Sequence, residues 1–208
     1  MTMQTDVKVE FIRDSIPGSN NYIVTSQTPT AGGSTLPLVN TEFSNGSSRQ
    51  IILTTTAPQT STDATITITG IDITGQEVEI TRSPTAAAGV VTILNPLNKI
   101  ISIVTAGTWN TPISVGMLNV VFKSMGGRGG RVRLRGYSIC PLTTTNAISF
   151  FSGPSLIAVN ESVLSFKAQT SPNVSLDYPI PEDGIIYENG MYVSYNVGDI
   201  ISMNAFYD

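Results

Sequence analysis

Apolar residues recur at every second position in short runs along this chain, and Gly, Pro or Asn closes nearly every run. Side chains of an extended strand alternate between two faces, so this spacing lets a strand bury one side. A helix would need apolar residues three and four apart. Val7-Lys8-Val9-Glu10-Phe11 alternates until Pro17-Gly18 interrupts it. Ile66 and Ile68 share one face of Ala64–Thr69, and Glu77-Val78-Glu79-Ile80 alternates charged with apolar positions. Further strands are predicted at Ile51–Thr55, Gly89–Leu94, Lys99–Thr105, Leu118–Phe122, Arg131–Ser138, Ala147–Phe151, Val163–Ala168, Val174–Tyr178, Gly190–Tyr195 and Ile200–Tyr207. The β-branched residues that dominate the apolar set favour the same state. Short strands at near-regular spacing predict an all-β chain, a β-sandwich or barrel.

With 208 residues the chain is long enough for two small β domains with cores of their own. Residues 1–48 contain a polar, turn-rich stretch from Ile23 to Ser48 and are expected to form an N-terminal arm or irregular lead-in, with a short strand near Val7–Ile12. Residues 49–125 are expected to form a first β domain and residues 126–208 a second, with the Gly126–Gly130 loop as linker or hairpin tip. The two halves share a strand-and-turn style but do not align residue for residue. Asn189-Gly190, between Ile185-Ile186-Tyr187 and Met191-Tyr192-Val193, predicts a tight hairpin, because a type I′ turn needs positive φ at both central positions.

Charged residues make up only 12% of the chain, and Ser and Thr outnumber them. A surface so poor in charge favours association, and a homo-oligomer is expected. The net charge of −4 argues against nucleic acid, whose phosphates call for a basic face. No apolar run approaches membrane-spanning length and no secretion signal is present, so neither membrane contact nor export is expected. Three Asn-X-Ser triplets, at Asn45, Asn160 and Asn173, are then chance matches in a Ser-rich chain.

The chain contains no histidine, which removes the commonest general base near neutral pH and the Ser-His-Asp, Cys-His and His-based zinc arrangements. Its one cysteine, Cys140, lies between Ile139 and Pro141 and reads as a small buried filler. Paired carboxylates could serve glycoside hydrolysis. Glu77 and Glu79, however, read as the solvent face of a strand, Glu182-Asp183 as an acidic turn, and a single Trp109 does not make a sugar cleft. Asp72-Ile73-Thr74-Gly75 lacks the dense oxygen ligands of a calcium loop. No catalysis, metal or cofactor is expected.

One concentrated charge feature remains. Arg131, Arg133 and Arg135 alternate with Val132 and Leu134, placing three guanidinium groups on one strand face, and Arg128 adds a fourth from the glycine loop. Like charges in a row need opposite charge facing them. Either carboxylates of a neighbouring strand supply it, or the four arginines form a contact face for an acidic partner surface. No interleaved aromatic residues offer nucleic-acid bases a stacking platform. The glycine loop lacks the Lys-Ser/Thr ending of a phosphate loop.

Two stretches, about a third of the chain, resemble virion proteins of tailed phages. In Ile66–Ile103 a strand leads into Thr69-Gly70-x-Asp72-x-x-Gly75, then a Glu-rich strand, a Val-Thr strand and a closing Ile-Ser-Ile strand. Ile180–Tyr207 is similar to the C-terminal end of small phage structural proteins, with Pro and Gly leading to Asn189-Gly190-Met191-Tyr192-Val193 and an aromatic last strand. The resemblance implies a capsid decoration (cement) protein, bound to the major capsid protein or other virion proteins on particles assembled in the host cytoplasm. It implies as alternatives a neck, tail or baseplate component. From a different class, a carbohydrate-binding module of a tail spike is the remaining alternative.

Overall fold

A computed structural model describes residues 7–12, 16–30, 32–43, 46–84, 88–125, 130–142, 146–153, 162–168, 175–181 and 183–208. Among them there is no α-helix, and the chain is all-β, with its strands in two sheets. The strands in order are β1 (Lys8–Ile12), β2 (Ser19–Gln27), β3 (Ser34–Thr35), β4 (Ser48–Thr55), β5 (Thr65–Asp72), β6 (Glu77–Arg82), β7 (Gly89–Ala106) and β8 (Ile113–Met125). They continue with β9 (Val132–Pro141), β10 (Asn146–Ser152), β11 (Ser162–Ala168), β12 (Leu176–Pro179), β13 (Ile185–Tyr187), β14 (Met191–Asn196) and β15 (Ile200–Tyr207).

The chain forms two compact units that differ from the linear division at residues 48 and 125. One unit combines Met1–Ile16 with Val121–Asp208, and the other is Pro17–Val120. The expected arm is corrected accordingly: its described part carries β1, β2 and β3, and Ile12, Ile23, Val24, Leu36 and Phe43 are buried. Five apolar anchors spread over a polar stretch hold it in the sheets. Residues 126–129 of the expected linker, and with them Arg128, lie outside the described residues.

In the unit of residues 17–120, β7 is the organising strand. Its first half pairs with β4, and its second half pairs with β5 and with the short β3. The sequence predicts separate strands at Gly89–Leu94 and Lys99–Thr105, yet β7 runs unbroken through the intervening Asn95-Pro96. The register slips here, because Ile51 faces Ile93 while Arg49 faces Leu97, so the extra residues form a bulge that accommodates the proline. β5 and β6 form a hairpin whose turn is held by Asp72. Its Oδ1 accepts the Thr74 amide at 2.8 Å, the Thr74 hydroxyl at 2.6 Å and the Gln76 amide at 2.9 Å. Ile66, Ile68, Ile93, Ile103, Ile113 and Val115 are completely buried. Arg49 is also fully buried, and its Nη1 donates to the Leu118 carbonyl at 2.9 Å.

In the other unit, the first sheet runs β1-β15-β9-β12, with β13 also on β9. β10, β11 and β14 belong to the second sheet. The core lies between them: Ile12, Leu134, Ile139, Met203 and Ala205 from the first sheet meet Ile148, Phe150, Met191 and Val193 from the second. The rings of Tyr137 and Phe150 are 5.8 Å apart in this layer. Gly190 has the expected positive φ, 86°. The expected hairpin is nevertheless absent, because β13 pairs with β9 while β14 pairs with β10. The Asn189-Gly190 turn thus carries the chain from one sheet to the other.

Tyr187 ends β13 with no exposed surface, and its hydroxyl has no hydrogen-bond partner among the described residues. Burial pushes its phenol well above the usual tyrosine range. An unpaired buried hydroxyl costs roughly 1–3 kcal/mol. Tyr187→Phe is therefore expected to raise stability by about 1 kcal/mol. Urea unfolding of the two proteins checks this, and a loss of similar size would reveal a bond to the hydroxyl.

Candidate contact site on the arginine strand

β9 keeps the alternation of its sequence at its start. Val132 and Leu134 are buried, Arg131 is exposed, and Arg133 and Arg135 are half-buried on the opposite face. Farther along, Phe206 faces Gly136 and Tyr207 faces Leu134, so Arg135 is the extra residue of a bulge. A bulge re-aims the side chain it carries.

The three described arginines have different surroundings. Arg135 Nε donates to Asp208 Oδ1 at 3.2 Å, and Nη2 donates to Oδ2 at 2.9 Å. This fork-on-carboxylate pair is largely shielded, with side-chain exposures of 26% and 10%. Arg131 lies 3.6 Å from Glu188 with both side chains in solvent, where such a pair contributes little. The Arg133 guanidinium makes no ion pair with a described residue. Its backbone exchanges two hydrogen bonds with Asp208, at 2.9 Å and 3.1 Å. Nothing in the sequence tied Asp208 or Glu188 to this strand, since each reaches it only through sheet register.

Beside Arg135 lies an open groove of about 290 Å³ over Gly136, lined by Phe206, Pro179, Tyr178 and Asp177. Gly136 lies between its cross-strand neighbours Phe206 and Pro179, and a Cβ there would meet the Tyr178 carbonyl oxygen at 3.0 Å. Tyr137 and Tyr178, also in its lining, stack at 4.9 Å. Burial, and secondarily the neighbouring Tyr178, pushes the Tyr137 phenol up to about 12. The groove has room for one or two side chains and is bordered by a carboxylate and a guanidinium.

The other sequence candidates take structural places. Glu77 and Glu79 are exposed on β6 with Ile80 buried opposite. Glu182 lies outside the described residues, and Asp183 is exposed. The Asp72 carboxylate is occupied by its own turn. Cys140 is half-buried, a correction to the buried filler expected, because it falls on the outward-facing side of β9. Trp109 is buried and its Nε1 donates to the Ala106 carbonyl at 3.0 Å, so it offers no platform to a sugar. No cluster of three metal-binding side chains occurs among the described residues.

Compared with protein-family models and with curated proteins, the sequence matches none.

The arginines should therefore separate in mutagenesis. Arg135→Ser removes one half of a shielded pair and is expected to lower stability by about 2 kcal/mol, between the values of exposed and buried pairs. Arg131→Ser with Arg133→Ser should change it by less than about 1 kcal/mol. Thermal unfolding of the two variants beside wild type is the measurement. Equal losses in both would mean that the whole row is an internal ion-pair layer.

Proposed function

We propose that this protein is a non-catalytic structural component of a tailed-phage particle, attached to the outside of the capsid as a cement protein. The observation that carries the reading is the outward face of the sheet β1-β15-β9-β12. Register places Val9 beside Phe206 and Phe206 beside Gly136, with half-buried Arg133 farther along β9 and exposed Arg131 just before the strand. An open surface with apolar residues, a shallow groove and two arginines fits contact with another protein's surface. Apolar area supplies the adhesion and charge selects the partner. Arg131 and Arg133 face an acidic patch of the major capsid protein in this reading, and neither enzyme activity nor a cofactor is involved. The resemblance of Ile66–Ile103 and Ile180–Tyr207 to phage virion proteins supports the same role.

The test is quantitation of this chain in purified particles, together with binding of the purified protein to shells that lack it. Hundreds of copies per particle, and binding weakened both by salt and by Arg131→Ser with Arg133→Ser, are the expected results. A count of about six or about twelve would instead assign it to the symmetric neck and tail. Specific capture by a glycan array would favour the tail-spike alternative.

A further inference from the structure

β1 is the end strand of its sheet, pairing with β15 on one side and with no described strand on the other. Edge strands are normally protected by outward charge, proline or a bulge, because their free amides and carbonyls accept another strand. β1 carries no proline and no bulge, and its only charges, Lys8 and Glu10, are of opposite sign. Its outward face presents Val7, Val9 and Phe11, exposed by 52%, 57% and 54%. Its other face carries Lys8, Glu10 and the buried Ile12, with Glu10 held 2.9 Å from Lys123.

We infer that β1 is a self-complementary edge that pairs antiparallel with β1 of a second copy, about a twofold axis through Val9. A twofold axis perpendicular to the sheet keeps inward and outward faces in common, so each residue must meet one of the same parity. With Val9 opposite Val9 of the second copy, Lys8 faces Glu10 and Glu10 faces Lys8. Val7 then faces Phe11 and Phe11 faces Val7. Every pair is either oppositely charged or apolar. Moving the axis to Lys8 sets two lysines against each other, and moving it to Glu10 sets two glutamates against each other, both unfavourable when directly opposite. Charge thus selects one register out of three. The pairing joins two sheets into one and doubles the outward apolar strip, bringing two Phe206 side chains next to it. It does not depend on where the protein works.

The experiment is the oligomeric state in solution, by light scattering and sedimentation, of the full chain and three variants. Wild type is expected to form a dimer. Val9→Lys, an exposed change that puts two ammonium groups on the axis, should yield monomers that melt where wild type melts once diluted to monomer. Lys8→Glu and Glu10→Lys should each weaken self-association about tenfold or more, since each creates two like-charged pairs. Mixing these two variants should restore a dimer, because the two carboxylates on the first variant's strand then face the two ammonium groups on the second's. A wild type that stays monomeric at about 100 μM, near the weak end of specific association, would overturn the inference. So would a dimer that survives Val9→Lys, or a mixture in which no heterodimer forms. Should Glu10→Lys fail to fold, Val9→Lys and Lys8→Glu still decide the matter.

Discussion

A chain ended after Asp199 is expected to lose the folded unit formed by residues 1–16 and 121–208. The deleted strand, β15, is an interior one, with β1 paired along one side and β9 along the other. Its loss strands β1 entirely and leaves β9 with the short β12 and β13. Met203 and Ala205 are fully buried, Ile200 and Tyr207 nearly so, and Arg135 loses the Asp208 carboxylate that accepts from it. Removing one large core side chain costs roughly 2–5 kcal/mol, and whole domains are stable by only about 5–15 kcal/mol. Several such losses together exceed what the unit has. The truncated protein should show rapid proteolysis within residues 130–199 and loss of the near-ultraviolet dichroism of Tyr137, Tyr187 and Tyr195, all buried in that unit. Retention of both signals would mean that the sheet closes without β15, and that its central position is not what holds β1.

What the sequence made legible follows from how local each signal is. The class was readable because alternation is a property of a strand by itself: Ile66 and Ile68 are buried together, and Arg131, Arg133 and Arg135 are set apart from Val132 and Leu134. β2 was not readable. Its buried Ile23 and Val24 are consecutive, and its register with β8 shifts twice, so no alternation marks it. Asn189-Gly190 signalled a turn correctly, but a turn sequence does not specify which sheet the next strand joins. The bulge at Asn95-Pro96 shows the converse: a breaker dipeptide inside a long strand is tolerated where the partner strand lets the register slip. For the candidate site, the arginine row was visible as a pattern. Its counter-charges and its groove were not, because Asp208, Glu188, Phe206 and Pro179 lie more than forty residues away along the chain and meet β9 only through pairing.

The same limit hides the position in the unit of residues 17–120 where one methyl group should do the most damage. Gly116 reads as an ordinary glycine in a strand, yet β2 passes directly over it. Ser19 pairs with Met117 and Val24 with Val115, so the backbone between Ser19 and Val24 must bulge across the single residue between those partners. A Cβ on Gly116 would overlap the Ser19 carbonyl oxygen, with the Asn20 backbone at about 2.5 Å. These are backbone atoms held by pairing on both sides and by the Gly18 amide, which donates to Asn119 Oδ1 at 2.6 Å. No rotamer change relieves the contact. Gly116→Ala must therefore push β2 off β8, exposing Ile23 and Val24, both fully buried. Overpacking a core costs roughly 1–3 kcal/mol, and loss of these two side chains adds to it, so a destabilisation of about 3 kcal/mol or more is expected. Gly130→Ala is the control, since a methyl group there meets nothing within 4 Å and should change stability by less than about 0.5 kcal/mol. Urea unfolding of both variants, with protease sensitivity across residues 17–27, gives the comparison. If Gly116→Ala unfolds at the wild-type midpoint with this segment still protected, β2 does not cross β8 at Gly116.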